Sequence, residues 1–137
     1  MRLIVLSDDF YQRHEHHREI LQKRTRPYVC LEVTINGTTF AIPFRHHIKH
    51  RYAFITYGES GIDYTKAVVI ASDDDVANRT PQIEQREYNA LVGRDALIHN
   101  GMVNYIVLYK KAKTYEHNPF YANIRKYSSL QYFEKYL

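Results

Sequence analysis

The sequence has one cysteine, no tryptophan, five glycines and four prolines among 137 residues. The single cysteine, Cys30, cannot form an internal disulfide, which fits folding in a reducing cytoplasm. No run of about 18 apolar residues is present, so a membrane span is not expected. The apolar run at residues 3–6 is too short for the core of a signal peptide. These absences predict a cytoplasmic protein with no membrane partner.

The composition that is present is typical of one globular domain, predicted to cover residues 1–137, with 45% hydrophobic and 25% charged residues. Two biases indicate a nucleic-acid partner: the formal net charge is +4, and 13 residues are tyrosine. Cationic side chains attract phosphates, and aromatic rings stack on unpaired bases. The alternative, a basic protein that is merely soluble, stays open on composition alone.

Residues 28–44 give the clearest local pattern. Apolar residues alternate on both sides of Asn36-Gly37, a pair that favours a two-residue type I′ turn. This turn sets a hairpin register that pairs Leu31 with Ile42 and places Tyr28 opposite Arg45 on the other face. Pro43 lacks a backbone donor, so we expect the second strand to lie at a sheet edge or to end there.

In the other segments strand signals come first and helix signals later, an order that predicts an α+β fold. Residues 3–6 and 67–71 are predicted strands. A helix is expected after a cap at Ser7, Asp8 or Asp9, and residues 14–26 are expected to form a helix or ordered loop. Three later helices are predicted: one from Thr80-Pro81 to Val92, one short helix stopping at Asn100-Gly101, and one carrying Met102, Tyr105, Ile106 and Tyr109. Ser128 is expected to cap a last helix, with Gln131 as its capping-box partner and Leu130, Phe133 and Leu137 on its apolar face.

The densest group of chemically useful side chains follows the hairpin, at Arg45-His46-His47-Ile48-Lys49-His50-Arg51. RNA is cleaved without a metal when its 2′-hydroxyl attacks the adjacent phosphate. That reaction needs a base, an acid and cations near the phosphate. Histidine suits the proton transfers because its unperturbed pKa is about 6.5. Arg45 and Lys49 suit the charge on the phosphorane, so the loop is a candidate ribonuclease site with Tyr28 beside it.

Alternative interpretations remain for several groups. The loop is also compatible with a solvated basic surface. His46 and His50 have the spacing of metal ligands on a helix, and residues 14–17 (His-Glu-His-His) also contain such ligands, but no zinc signature accompanies either. Residues 73–75 are three aspartates that suit magnesium or, more simply, a turn and helix cap. No cofactor or metal is expected, and Cys30 is interpreted as a packing residue.

A resemblance to a known family adds to these patterns. The segments that carry it are Arg26-Pro27-Tyr28, Leu31-Glu32-Val33, residues 40–50, residues 61–68 and residues 127–134. In this order and spacing they resemble the TenpIN toxins of type III toxin–antitoxin systems, relatives of the ToxN and AbiQ toxins. The resemblance runs from Met1 to Leu137.

The resemblance implies a fold and a function. The fold would be a compact, twisted antiparallel sheet or partly open barrel surrounded by helices, similar to MazF and Kid. The activity would be a metal-independent endoribonuclease that leaves a 2′,3′-cyclic phosphate on cellular or phage RNA. The partner would be a pseudoknotted antitoxin RNA from tandem repeats, joined with the toxin into a higher-order assembly. The setting would be growth arrest and abortive infection in phage defence.

The predicted site residues come from the residue patterns and from the family resemblance. The catalytic set is Tyr28, Arg45, His46, His47 and Lys49; it departs from ToxN-like toxins, which carry Thr-Ser where this chain has Arg45-His46. The assignment of acid and base is therefore open. The RNA-binding set adds Ser7 and Lys66, which match positions of relatives, and Tyr11, since Phe10 or Tyr11 falls on a tyrosine of relatives. It also includes Lys110, Lys111 and Lys113, which cluster near a helix end. Two rival functions remain: an RNA-binding module without catalysis, and a MazF-like toxin neutralised by a protein.

Overall fold

The computed structural model describes residues 1–22 and 27–137, and it confirms the predicted α+β class. Within these residues one antiparallel sheet, which is not closed, contains Arg2–Val5 (β1), Val29–Ile35 (β2), Thr38–Arg45 (β3), Ala53–Tyr57 (β4), Ser60–Asp63 (β5) and Val68–Ile70 (β6). The α-helices of the same residues are Asp8–Arg13 (α1), Gln85–Leu91 (α2), Asp95–Thr114 (α3) and Pro119–Tyr127 (α4). No helix among them combines the length and apolar character needed to cross a bilayer.

The hairpin of β2 and β3 has the predicted turn and register. Asn36 and Gly37 both have positive φ angles, 49° and 80°, as a type I′ turn requires. Leu31 pairs with Ile42, and Val33 pairs with Phe40. All four of these side chains are buried in the core. The ladder ends at Cys30 and Pro43, so Tyr28 lies just beyond the last pair.

The prediction that this strand lies at a sheet edge or ends at Pro43 is wrong, because β3 is central in the sheet and continues to Arg45. β3 pairs with β2 along one side, and on its other side with β6 at Thr39–Ala41 and then with β5 at Phe44 and Arg45. Pro43 falls between these two ladders. A residue without a backbone donor is tolerated there because neither neighbouring ladder includes that position on this side.

The first helix follows the sequence prediction. The Ser7 side chain accepts a hydrogen bond from the Phe10 amide and caps α1, and Phe10 and Tyr11 are buried. After α1 the chain continues as turns through residues 14–20. Residues 23–26, the last part of the predicted helix or ordered loop, lie outside the described residues, and so does Arg26 of the resembling segment.

The aspartates of residues 73–75 form a single 3₁₀ turn, as the cap interpretation predicts. Ser72 caps this turn with a complete capping box. Asp75 is buried, accepts hydrogen bonds from the Ala71 and Ser72 amides, and forms an ion pair with Arg13 of α1. These contacts fix the turn against the N-terminal helix.

The predicted helix stop at Asn100-Gly101 is wrong, because α3 runs without interruption through both residues. Gly101 is explained by packing instead: a Cβ there would overlap the ring and hydroxyl of Tyr64. The Tyr64 hydroxyl donates to the Ile98 carbonyl at 3.2 Å. The predicted face of this helix is confirmed, since Met102, Tyr105 and Tyr109 are buried.

Two other helix boundaries differ from the prediction. α2 begins at Gln85 rather than at Thr80-Pro81. Residues 80–84 have no regular secondary structure and line a cavity. The helix does end before Gly93, as predicted. Ser128 caps a 3₁₀ turn, Ser129–Tyr132, and not a longer helix. The Ser129 hydroxyl donates to the Ala67 carbonyl and lies 3.1 Å from the Thr65 carbonyl oxygen, and this contact holds the chain against the sheet. The predicted apolar residues Leu130 and Phe133 are buried there.

Candidate functional site

The basic loop begins where β3 ends, at Arg45, and leads to β4. Within the loop Ile48 is buried, and its amide donates to the Glu59 carbonyl at 2.9 Å. His47, with a φ of 58°, and Lys49 are exposed on either side of it. The buried isoleucine therefore holds the loop against the β4–β5 turn and directs its polar residues outward.

A buried carboxylate, Asp63, organises the two ends of this loop. Its side chain is 0% exposed. Arg45 Nη1 donates to Oδ2 at 2.8 Å, and His50 Nε2 lies 3.2 Å from the carboxylate. The Thr65 amide and hydroxyl donate to Oδ1 at 2.9 and 2.6 Å. Burial by itself raises the pKa of Asp63, but the hydrogen bonds from His50, Thr65 and Arg45 outweigh it and lower that pKa.

The contacts of His50 define its protonation pattern. Its Nδ1 accepts from the Tyr52 amide at 3.1 Å, so Nε2 must carry the proton that it donates to Asp63. Both nitrogens are then engaged, and neutral His50 has no nitrogen left to accept a proton from a ligand. His50 therefore orients charge at this site rather than acting as a base.

A cavity of about 860 Å³, which we call the Tyr28 cavity, is lined by Tyr28, Arg45 and His46. Its lining also includes Phe44, Arg79, Ile83 and Glu87 among other residues. His46 Nδ1 lies 2.6 Å from the hydroxyl of buried Ser60, which fixes the orientation of the imidazole ring. Three of the predicted catalytic residues thus line one cavity at the end of a central strand.

The structure adds a residue that the sequence analysis missed, Glu87 in the first turn of α2. The residue is 5% exposed, and Oε1 has no hydrogen-bond partner within the described part of the chain. Burial raises the pKa of this carboxyl group, and the neighbouring His46 partly offsets the effect. Helical spacing was an available signal, because Glu87 precedes buried Leu91 by four residues and shares its face.

Arg45 also lines a second cavity, of about 440 Å³, which we call the Tyr127 groove. Its other walls include His50, Tyr52, Lys66, Phe120 and Tyr127. Lys66 is half-buried and donates to the Tyr127 carbonyl at 2.9 Å. Burial lowers the pKa of the Lys66 ammonium group. The groove lies between the end of the sheet and α4, and Arg45 separates it from the Tyr28 cavity.

The remaining predicted residues lie elsewhere or are engaged in other contacts. Lys49 forms an exposed ion pair with Glu59, with a shortest distance of 2.6 Å. The Ser7 hydroxyl donates to the Asp74 carbonyl at 2.6 Å while capping α1, and Tyr11 lies in the core at 5% exposure. Near the end of α3, Lys110 and Lys111 are exposed, and Lys113 bonds Glu134 at 2.6 Å. Lys113 lines a third cavity, so it and Lys66 face different parts of the surface.

The histidines proposed as alternative metal ligands have other contacts. His46 bonds Ser60, and His50 bonds Asp63. His14 Nδ1 lies 2.9 Å from His17 Nδ1 in the turns after α1. Across residues 1–22 and 27–137, no three His, Cys, Asp or Glu side chains are grouped so that they could hold a metal ion.

Comparison of the chain with protein-family models, curated proteins and solved structures finds no match in any of the three.

Proposed function

We propose that this protein is an endoribonuclease that cleaves RNA by attack of a 2′-hydroxyl on the adjacent phosphate. The observation that carries the proposal is the convergence of Tyr28, Arg45 and His46 on one open cavity. An oriented imidazole, a guanidinium and a phenol together supply the groups that this reaction needs without a metal.

The proposed reaction needs two proton transfers, and each is assigned to candidate side chains. A base removes the proton of the 2′-hydroxyl, the O2′–P bond forms, the P–O5′ bond breaks, and an acid protonates the leaving O5′. His46 is the favoured proton-transfer group, because Ser60 holds Nδ1 while Nε2 has no hydrogen bond within the described residues. His47 and Glu87 are the two candidates for the second proton-transfer group.

Arg45 is suited to stabilise the charge that grows on the phosphorane oxygens. Asp63 engages Nη1, and the guanidinium has further N–H donors for a phosphate. A donor held in place before the reaction costs no reorganisation when the charge develops. Lys49 can add charge at the same edge, because its exposed pair with Glu59 is of the weak kind that a phosphate can replace.

The biological setting of the proposal rests on the sequence resemblance. We propose a ToxN-like fold, for which the open six-stranded antiparallel sheet of the described residues is the supporting observation. The proposed inhibitor is a pseudoknotted antitoxin RNA that joins several toxins into one assembly in the cytoplasm. The exposed lysines of α3 are proposed to bind its phosphates.

The proposal is tested by incubating the purified protein with mixed RNA in excess chelator. Cleavage with 2′,3′-cyclic phosphate ends is expected. His46→Ala and Arg45→Ala should each lower the rate about 100-fold or more. The melting temperature of His46→Ala should stay near that of the parent. The melting temperature of Arg45→Ala should be lower, because this variant also loses the ion pair with Asp63. His117→Ala, at an exposed position after α3, is the matched control and should cleave normally.

Two results would overturn the proposal. Intact RNA after incubation with folded, RNA-binding protein would indicate a binding module without catalysis. Cleavage that chelator abolishes would indicate a metal-dependent reaction at another site.

A further inference from the structure

We propose that the Tyr127 groove binds one nucleotide of single-stranded RNA next to the cleaved bond, with its base on the rings of α4 and its phosphate between Arg45 and Lys66. This inference rests on the proposed function, and it adds a recognition subsite that neither the basic loop nor the Tyr28 cavity provides.

The aromatic wall of the groove is one face of α4. Phe120, Asn123, Ile124 and Tyr127 all line the groove, and their spacing places them on one side of a helix. Phe120 and Tyr127 are 54% and 57% exposed, although large rings usually bury most of their surface. An exposed ring at either end of a short helical face suits stacking on a nucleobase, and the amide of Asn123 between them can bond a base edge.

Helix α4, which carries these rings, is anchored at both ends. The Asn118 side chain accepts hydrogen bonds from the Phe120 and Tyr121 amides, and Pro119 occupies the first helical position. The Lys66 bond to the Tyr127 carbonyl holds the other end of the helix. A ring on a fixed helix loses little conformational freedom when a base stacks on it.

The charge of the groove complements a phosphate. Asp63 is already satisfied by four donors, and its charge is matched by Arg45. Lys66 makes no ion pair within the described residues, and its bond to the Tyr127 carbonyl has a neutral acceptor. The groove therefore has one surplus positive charge beside its aromatic wall, and a nucleotide combines the two complementary features.

The position of Arg45 links the groove to the reaction. Arg45 lines both the Tyr28 cavity and the Tyr127 groove. A chain that places one phosphate at His46 can place its neighbour at Lys66, with Arg45 between the two. The groove would then align the scissile bond and select unpaired RNA, because a base within a duplex cannot stack on α4.

The test uses a fluorescein-labelled RNA pentamer with 2′-O-methyl groups, which cannot undergo the cleavage reaction. Affinity is measured by fluorescence anisotropy at several salt concentrations. Phe120→Ala and Tyr127→Ala should each weaken binding about 5- to 150-fold. Lys66→Met should reduce the salt slope by about 0.7. Tyr88→Ala, which removes an equally exposed ring from α2, is the matched control and should bind as the parent does.

A second arm replaces single nucleotides of the pentamer by abasic sites. At one position, removal of the base should make the affinity insensitive to Tyr127→Ala, because the stacking partner is already gone. His46→Ala is measured in parallel for cleavage of unmodified RNA. Unchanged affinity of both ring variants, with cleavage still lost in His46→Ala, would overturn the groove proposal and leave the ribonuclease proposal intact. Weakened binding of both ring variants, together with a parent protein that cleaves no RNA, would support the groove and contradict the ribonuclease.

Discussion

Replacement of Asp63 by alanine tests whether this buried carboxylate holds the candidate site together. The substitution removes the acceptor of four hydrogen bonds and leaves Arg45, His50 and two donors of Thr65 without their partner. Removal of one partner from a buried ion pair costs about 3–5 kcal/mol. The Arg45 side chain is 31% exposed and can turn towards water, so we expect the lower end, about 3 kcal/mol.

This cost is measurable by urea unfolding and by thermal denaturation followed by circular dichroism. For a domain of this length, 1 kcal/mol corresponds to roughly 3–5 °C, so Asp63→Ala should melt about 10 °C below the parent. Glu59→Ala is the matched control, because Glu59, in the turn between β4 and β5, forms an exposed ion pair with Lys49. Its expected cost is below about 1 kcal/mol. A loss under about 1 kcal/mol for Asp63→Ala would refute the assigned role.

The same variant predicts a pH dependence with a defined sign. The pKa of Asp63 is lower in the folded protein than in the unfolded chain, where a carboxyl titrates near about 3.9. Its stabilising contribution is therefore full above that value and is lost as the pH falls through the folded pKa. The stability difference between the parent and Asp63→Ala should stay constant from neutral pH to about pH 5 and shrink in stronger acid.

Two further substitutions test packing and burial. Gly101→Ala should destabilise the protein by up to about 2 kcal/mol in urea unfolding, because overlap with Tyr64 costs about 1–3 kcal/mol and the gain in helix propensity offsets about 1 kcal/mol of it. A net gain in stability would contradict this packing. Glu87→Gln should stabilise the protein by about 1 kcal/mol at pH 7, because the raised pKa of Glu87 means that folding disfavours its charged form. That difference should vanish near pH 4, and equal stabilities of parent and variant at pH 7 would show that Glu87 has a partner.

Local patterns predicted the elements whose determinants lie close together in sequence. The Asn36-Gly37 turn fixed the hairpin register, and Ser7 capped α1 as expected. Signals of the same kind failed where tertiary contacts override them. Thr80-Pro81 has the form of a helix start, yet the chain there has no regular secondary structure and lines a cavity. Asn118-Pro119 has the same form and does begin a helix, α4, which the sequence analysis did not predict.

The same distinction between local and distant contacts separates the site residues that were predicted from those that were missed. The register predicted that Tyr28 and Arg45 would be neighbours, and both line the Tyr28 cavity. The two carboxylates of the site were missed, because each acquires its role from contacts distant in sequence. Asp63 is 18 residues from Arg45, and Glu87 reaches the cavity only through the packing of α2. A lone aspartate or glutamate in a sequence is usually solvated, and burial distinguishes these two; the spacing of Glu87 from Leu91 on one helix face was the available sequence signal.

The two carboxylates differ in a way that bears on how the site works. Asp63 is saturated with donors and has a lowered pKa, so it remains charged and fixes Arg45 between the two cavities. Within the described residues Glu87 Oε1 has no hydrogen-bond partner, and burial raises the pKa of its carboxyl group above the usual value. A site that must hold one phosphate while moving protons needs one group of each kind. If Glu87 takes part in proton transfer, Glu87→Gln will lose one limb of the pH–rate profile while gaining stability. If it has only a packing role, the variant will gain stability and keep the profile of the parent.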